Sequence, residues 1–427
     1  MNALRQSPAD ETELVWIESR RGLATSRGPR VDARISRHRT ILVRVLDHGK
    51  VGSHRTGSGE PGELANAIRL ALGQSRIHRP LPGLPHLPVD DSPAIAPDGI
   101  YCPETAGLTG RAARGMLEKL RREREALTLE WTLARVSVFN SRGLRRSTET
   151  TSVALQIRRS RRPGSGRVAT AARSLAEIDG ERLWAVAAER HATGDSGELP
   201  SDNPRVVLSG EAVIELVALL NRTAFTASSY ADGTSFLREH VGVQVFDRSI
   251  NLRDDATDPA GLPFPFDLEG TAKRPVDLIS GGTPRTPALD QRQAAQLGLQ
   301  PTAHSISGND ARAENLFLLP GESSQEQLLA AADGGIWIGW LDSVAPIEPR
   351  RVRFLAHARG LRRIRDGQLA EALPDCTWDD SLLRCLSESP QVGRESVRRL
   401  SRDGVLGGIC APPMSLIAHG LQIAQRI

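Results

Sequence analysis

Two carboxylates one residue apart, in Phe266-Asp267-Leu268-Glu269-Gly270, are the acids of this 427-residue chain best placed for chemistry. On a strand, residues i and i+2 face the same side, so Asp267 and Glu269 could share a proton or a metal ion. A solvated loop or a backbone-capping acid is the plainer reading of the same residues. Asp254-Asp255 reads as a polar turn, and His304, in Thr302-Ala303-His304-Ser305, has no partner visible in the sequence. Asp267 and Glu269 are therefore the only residues nominated as catalytic, should the chain be a stand-alone hydrolase.

Zinc chemistry asks for histidines at helical spacing, because one turn must aim two imidazoles at a single ion. The 10 histidines run from His38 to His419 without a pair at i, i+4 or i, i+5. Glu239-His240 is a lone dyad. The 4 cysteines, Cys102, Cys376, Cys385 and Cys410, form no Cys-x-x-Cys pair and read as reduced structural thiols. Gly57-Ser58-Gly59-Glu60-Pro61-Gly62 fits the glycine pattern of a dinucleotide loop. A proline-rich stretch follows its helix where a second strand would be needed, so a turn is expected there. Neither a metal nor a cofactor is expected in this chain.

Composition narrows the class. Hydrophobic residues make up 39% and charged residues 25%, as in an ordinary globular protein. No apolar run approaches the roughly 20 residues that span a bilayer, and the acidic N-terminal stretch is unlike a signal peptide. A cytoplasmic protein with no membrane partner is the expectation. The 55 basic and 51 acidic residues nearly cancel, and aromatics are 4%, too few for a base-stacking surface. No nucleic-acid partner is expected.

The elements that must position these residues follow from periodicity. Residues 40–47 read as a strand turning at His48-Gly49-Lys50, and residues 62–75 as a helix with Leu64, Ile68, Ala71 and Leu72 on one face. Six prolines between 79 and 98 exclude regular structure there. A helix over 109–126 and strands over 129–140 and 151–160, joined by Asn140-Ser141-Arg142-Gly143, come next. A helix over 179–192 precedes 193–204, the expected boundary between an N-terminal domain (1–195) and a C-terminal domain (200–427). Beyond it, residues 205–225 read as a strand entering a helix, with Ser209 as N-cap and Val213, Leu216, Val217 and Leu220 as its buried stripe. Arg398-Arg399 reads as helical. Short apolar runs, among them 335–341 and 414–423, favour antiparallel β structure for the rest. The fold class is α+β: an N-terminal mixed α/β domain and a C-terminal mainly antiparallel β domain.

The order of these segments resembles the TldD/PmbA family of peptidase-related proteins. The turn at 47–52 with its amphipathic helix, Asn140–Gly143, the strand and helix at 205–220, Ser235-Phe236-Leu237 with Gly242-Val243, Asp254-Asp255 ahead of 266–271, residues 277–284, 314–329 and 411–423 carry the likeness. The resemblance implies a two-domain α+β protein in a dimeric assembly that degrades or trims small peptides and unfolded proteins. It also implies a His-Glu-x-x-x-His zinc motif on the helix opening the second domain of catalytic TldD-type members, completed by a later cysteine. On this chain that motif falls on Gly210-Glu211-Ala212-Val213-Ile214-Glu215, so only Glu211 matches and both histidine positions are lost. Cys410 lies near the expected cysteine. The resemblance thus points to the PmbA/TldE-like, non-zinc branch: a non-catalytic subunit of a metalloprotease complex, with zinc in a TldD-like partner. Pairing would be with that partner as a heterodimer or with itself as a homodimer, around a peptide substrate. The longer proline-rich connector suggests a specialised branch acting in peptide biosynthesis. The alternatives are a stand-alone hydrolase and a peptide-binding protein.

Overall fold

The computed structural model describes residues 2–90, 94–122, 125–159, 165–191, 198–200, 203–306, 310–401 and 406–423. Its first sheet is an antiparallel six-stranded layer ordered β3-β2-β1-β4-β5-β6. The strands are β1 (Glu11–Arg27), β2 (Arg30–Asp47), β3 (Lys50–Thr56), β4 (Glu125–Asn140), β5 (Arg145–Arg159) and β6 (Gly166–Ala172). β1 and β2 are far longer than the expected strand at 40–47, because their outer halves carry arginines that hide the alternation.

Strand parity explains what each face does. Leu14, Ala24, Val43, Val45, Leu129 and Trp131 lie on one face and meet three helices: α1 (Pro61–Ile77), α2 (Gly110–Leu120) and α3 (Gly180–Glu189). The second helix stops at Leu120, short of the expected 126, because Glu125 already opens β4. On the other face the character changes along β4. Val138, Val136 and Ala134 pack with Phe264, Phe266 and Leu268 of the later chain, whereas Thr132, Glu130 and Thr128 line a cavity.

The later chain builds three sheets. One runs β10 (Thr283–Pro284), β9 (Val276–Ser280), β8 (Leu252–Asp254), β11 (Asn315–Leu318), β20 (Gly408–Ala411) and β19 (Val397–Leu400). Another runs β16 (Gln368–Ala372), β15 (Arg362–Arg365), β12 (Ile336–Ile338), β7 (Arg205–Leu208), β21 (Met414–Ile417) and β18 (Gln391–Val392). The last has β13 (Trp340–Glu348), β14 (Arg353–Arg359), β17 (Cys376–Ser381) and β22 (Leu421–Ile423). Most pairs are antiparallel; β7–β12 and β11–β20 are parallel. The helix α4 (Gly210–Ala224) belongs to the large core these sheets share and is buried nearly all round, well beyond the expected stripe. Ser209 caps it as expected, its hydroxyl accepting from Ala212 N at 3.1 Å.

Three expectations are corrected. Arg398-Arg399 lies on β19, where pairing with β20 overrides local helical preference. Residues 335–341 divide between β12 and β13 in different sheets, and 414–423 divide between β21 and β22, the second pair parted by Gly420 at φ 63°. The 267–269 segment, for which a loop was the plainer reading, is a tight turn closed by Gly270 at φ 77°. Asp254 is not in a polar turn but ends β8, fully buried. The expected boundary at 193–204 lies mostly outside the described residues. None of the described helices is long and apolar enough to cross a membrane.

Candidate functional site

α4 is the helix on which zinc ligands were sought. The Glu211 carboxylate is buried, and both its oxygens lie 2.9 Å from Nη1 of Arg190, the residue after α3. Its Oε1 also accepts from Ala169 N on β6 at 3.3 Å. Burial alone would raise its pKa; Arg190 and the hydrogen bonds to the carboxylate together outweigh burial and hold it below its ordinary value. One turn on, Glu215 pairs with Arg399 of β19 at 3.0 Å.

Gly210 precedes Glu211 where β19 and β20 press on the helix. A Cβ there would stand 2.5 Å from Val397 Cγ2 and 2.7 Å from the Ala411 carbonyl oxygen, so no side chain fits, least of all an imidazole. Cys410 is close by on β20, but burial pushes its thiol up to about 12 and Sγ rests 3.7 Å from the Ala260 carbonyl. A zinc ion needs deprotonated, uncommitted donors. These residues do not fit one: two carboxylates are already neutralised by arginines, the thiol is turned to the Ala260 carbonyl, and the histidine positions are a glycine under compression and a paired glutamate. Among the described residues one set of three possible ligands stands together, Asp10, Asp47 and His48. It closes the exposed β2–β3 turn, where His48 N donates to Asp10 at 2.7 Å.

Beside α4 lies a cavity of about 670 Å³. Its floor is the polar face of the first sheet: Arg21, Glu130, Thr132 and Gln156 with Arg34 and Ser36 of β2. Its far wall is Arg399, Leu400, Ser401 and Gly407. The arrangement can receive a polar, extended ligand over hydroxyl, amide and charged groups. Among its described lining residues no nucleophile is paired with a base.

The nominated acids are adjacent but committed to different partners. Asp267 accepts backbone N–H groups from Glu269 at 3.0 Å, Thr271 at 2.9 Å and Ser305 at 3.0 Å. It is the backbone-capping acid of the plainer reading, although buried and not solvated. Burial and the neighbouring Glu269 push it up to about 7. Glu269 is ion-paired to Arg44 of β2, which also pairs with Glu13 of β1 at 3.0 Å. One guanidinium thus faces two buried carboxylates, and Glu13 is pushed up to about 7 by burial, opposed by Arg44 and reinforced by Glu269. The three residues join the first sheet to the later chain.

Sequence reasoning missed the partner of His304. Its Nε2 lies 3.0 Å from Asp254, with Lys273 Nζ 4.0 Å from the same carboxylate oxygen. All three are buried, so the set is part of the core and offers no open face. Burial would raise Asp254, but His304 and Lys273 hold it well below the usual carboxylate range. Arg190, Arg399 and the cavity floor were missed as well. The floor alone had a local signal, the apolar-to-polar change at alternate positions of β4.

Fold and site together define an α+β protein of the peptidase-related type whose would-be metal helix is sealed by packing and ion pairs. Residues 201–424 match the family model for the PmbA/TldA metallopeptidase C-terminal domain, and the chain belongs to the TldD/PmbA family. Its fold is that of TldE from Thermococcus kodakarensis, with a TM-score of 0.82 at 19% identity, covering 98% of this chain and 99% of that one. A Thermotoga maritima structure described as a candidate modulator of a DNA gyrase gives 0.82 at 21% identity, over 96% and 95% of the two chains. A protein of Methanothermobacter thermautotrophicus described as a metalloprotease is 27% identical over 195 residues, 42% of this chain and 41% of that protein. An uncharacterised Methanocaldococcus jannaschii protein is 29% identical over 114 residues, covering 26% and 27%. The matched stretches thus span well under half of these two relatives.

Proposed function

We propose that this chain is the non-catalytic, TldE/PmbA-like subunit of a TldD/TldE-type metallopeptidase assembly. Residues 1–195 and 200–427 would be its two domains, and the cavity a wall of the peptide chamber. The zinc and the bond-breaking chemistry would reside in a TldD-like partner. The observation that carries this reading is the closed Gly210: the first ligand position of the motif has no room for a side chain, and the acids after it are spent on Arg190 and Arg399. The named likenesses to TldE and to a metalloprotease support the family context of the reading.

Two measurements test it. The purified chain, dialysed against a weak chelator, is expected to retain far less than one zinc or iron per chain, and its melting temperature is expected to be the same with and without chelator. Co-expression with a TldD-like subunit is expected to give a complex that cleaves unfolded peptide. One tightly held metal per chain, or neither complex nor cleavage, would overturn the proposal.

A further inference from the structure

β3 pairs with β2 only along Ile41–Asp47. Arg30–Thr40 is paired on the β1 side alone, from Arg30↔Arg27 to Thr40↔Ile17. Among the described residues no other main-chain partner faces it, so eleven residues of strand present an uncovered edge. An unpaired edge of this kind is a template on which another extended chain can pair. Residues 34–39 are exposed without interruption.

The charge on this edge is one-sided. It carries Arg30, Arg34, Arg37 and Arg39 against a single acid, Asp32. Arg39 is engaged, by Glu18 at 2.8 Å and over the Trp16 ring at 5.4 Å. Arg30, Arg34 and Arg37 make no ion pair with any described residue. Arg34 and Ser36 also line the cavity, so the edge is continuous with it. A second copy of this strand would bring two sets of arginines together, which opposes self-pairing.

We propose that Arg30–Thr40 of β2 takes up an extended acidic peptide as an added strand, with Arg34 on the face that lines the cavity and Arg37 on the opposite face selecting for carboxylate side chains. Main-chain pairing supplies affinity irrespective of sequence, and the arginines supply the preference. The reading of the occupant as a peptide rests on the proposed function. The measurement below uses this chain alone, so its failure leaves the metal and complex results untouched, and theirs leaves it standing.

The test is fluorescence anisotropy of the full chain with three labelled peptides: alternating Glu and Thr, alternating Lys and Thr, and the Glu/Thr peptide N-methylated at every residue, so that neither edge keeps its donors. The Glu/Thr peptide is expected to bind at least about tenfold tighter than the Lys/Thr peptide, the effect of several exposed ion pairs acting together. N-methylation, which removes main-chain donors, is expected to abolish binding. The double variant Arg34→Glu/Arg37→Glu is expected to reverse the charge preference, and both positions are exposed and unpaired, so folding should survive. Equal binding of both charges, undiminished binding after N-methylation, or an unchanged preference in the double variant would overturn the proposal. So would a dimer of this chain that the double variant dissolves.

Discussion

The first sheet ends in two edges that are treated in opposite ways. β6 is closed by charged side chains: Arg190 donates to the Arg167 carbonyl at 3.2 Å, Ala169 N donates to Glu211, and Arg398 Nε donates to the Ala171 carbonyl at 2.6 Å. Among the described residues the outer half of β2 has no such cover. The same hydrogen-bonding edge is a structural seam in one place and a free surface in the other. What decides between them is whether later parts of the chain deliver ionised groups to it. Glu211, which matches the glutamate of a zinc motif, is here part of that seam.

The largest expected effect breaks the closed edge. Glu211→Ala leaves Arg190 buried without its counter-charge and the Ala169 N–H without an acceptor, and is expected to cost about 3–5 kcal/mol in urea unfolding. A loss below about 1 kcal/mol would show that the ion pair is not what holds β6 to α4.

A pH series sharpens the contrast among the buried acids. Glu13 ordinarily titrates near 4.5 and stands at about 7 in the folded chain. Between those values the native state binds more protons than the unfolded state, so stability falls as pH rises through the window. Glu211 is shifted the other way, below its ordinary value. Its contribution is present above about pH 4.5 and is lost as pH falls through its folded value. The expected outcome in chemical unfolding is that Glu13→Gln flattens the dependence between pH 5 and 7, on the ordinary-to-shifted range just given, and leaves the acid limb in place. An unchanged slope would mean Glu13 is ionised throughout.

The smallest effect is expected at the open edge. Arg37→Glu should change stability by no more than about 0.5 kcal/mol, as for surface positions without partners. A larger loss would reveal a contact closing β2.

What could be read from the sequence was local. Ser209 and the apolar spacing of residues 213–220 announce a capped, buried helix because cap and stripe sit within a few turns of each other. The strands around Asn140–Gly143 are legible for the same reason, the turn glycine having φ 99°. The rest depends on distant partners. Arg190 and Glu211 are joined only after α3 and α4 are docked, and Asp254 meets His304 across the sheet and the turn at 267–270. Val397–Leu400 is apolar-basic-basic-apolar, a pattern that helix and strand share, and β20 decides it. Asp267 and Glu269 were conspicuous for their spacing, yet that spacing serves a turn that caps its own backbone.

The compressed glycine at the head of α4 also bears on how such a chain can change. Placing a histidine at position 210 would require β19 and β20 to retreat first, and placing one at 215 would strand Arg399. Each single step toward a metal site would therefore pass through a less stable protein. The packing thus acts as a barrier to substitution: at positions 210 and 215 a metal-ligating side chain is reached only through a loss of stability.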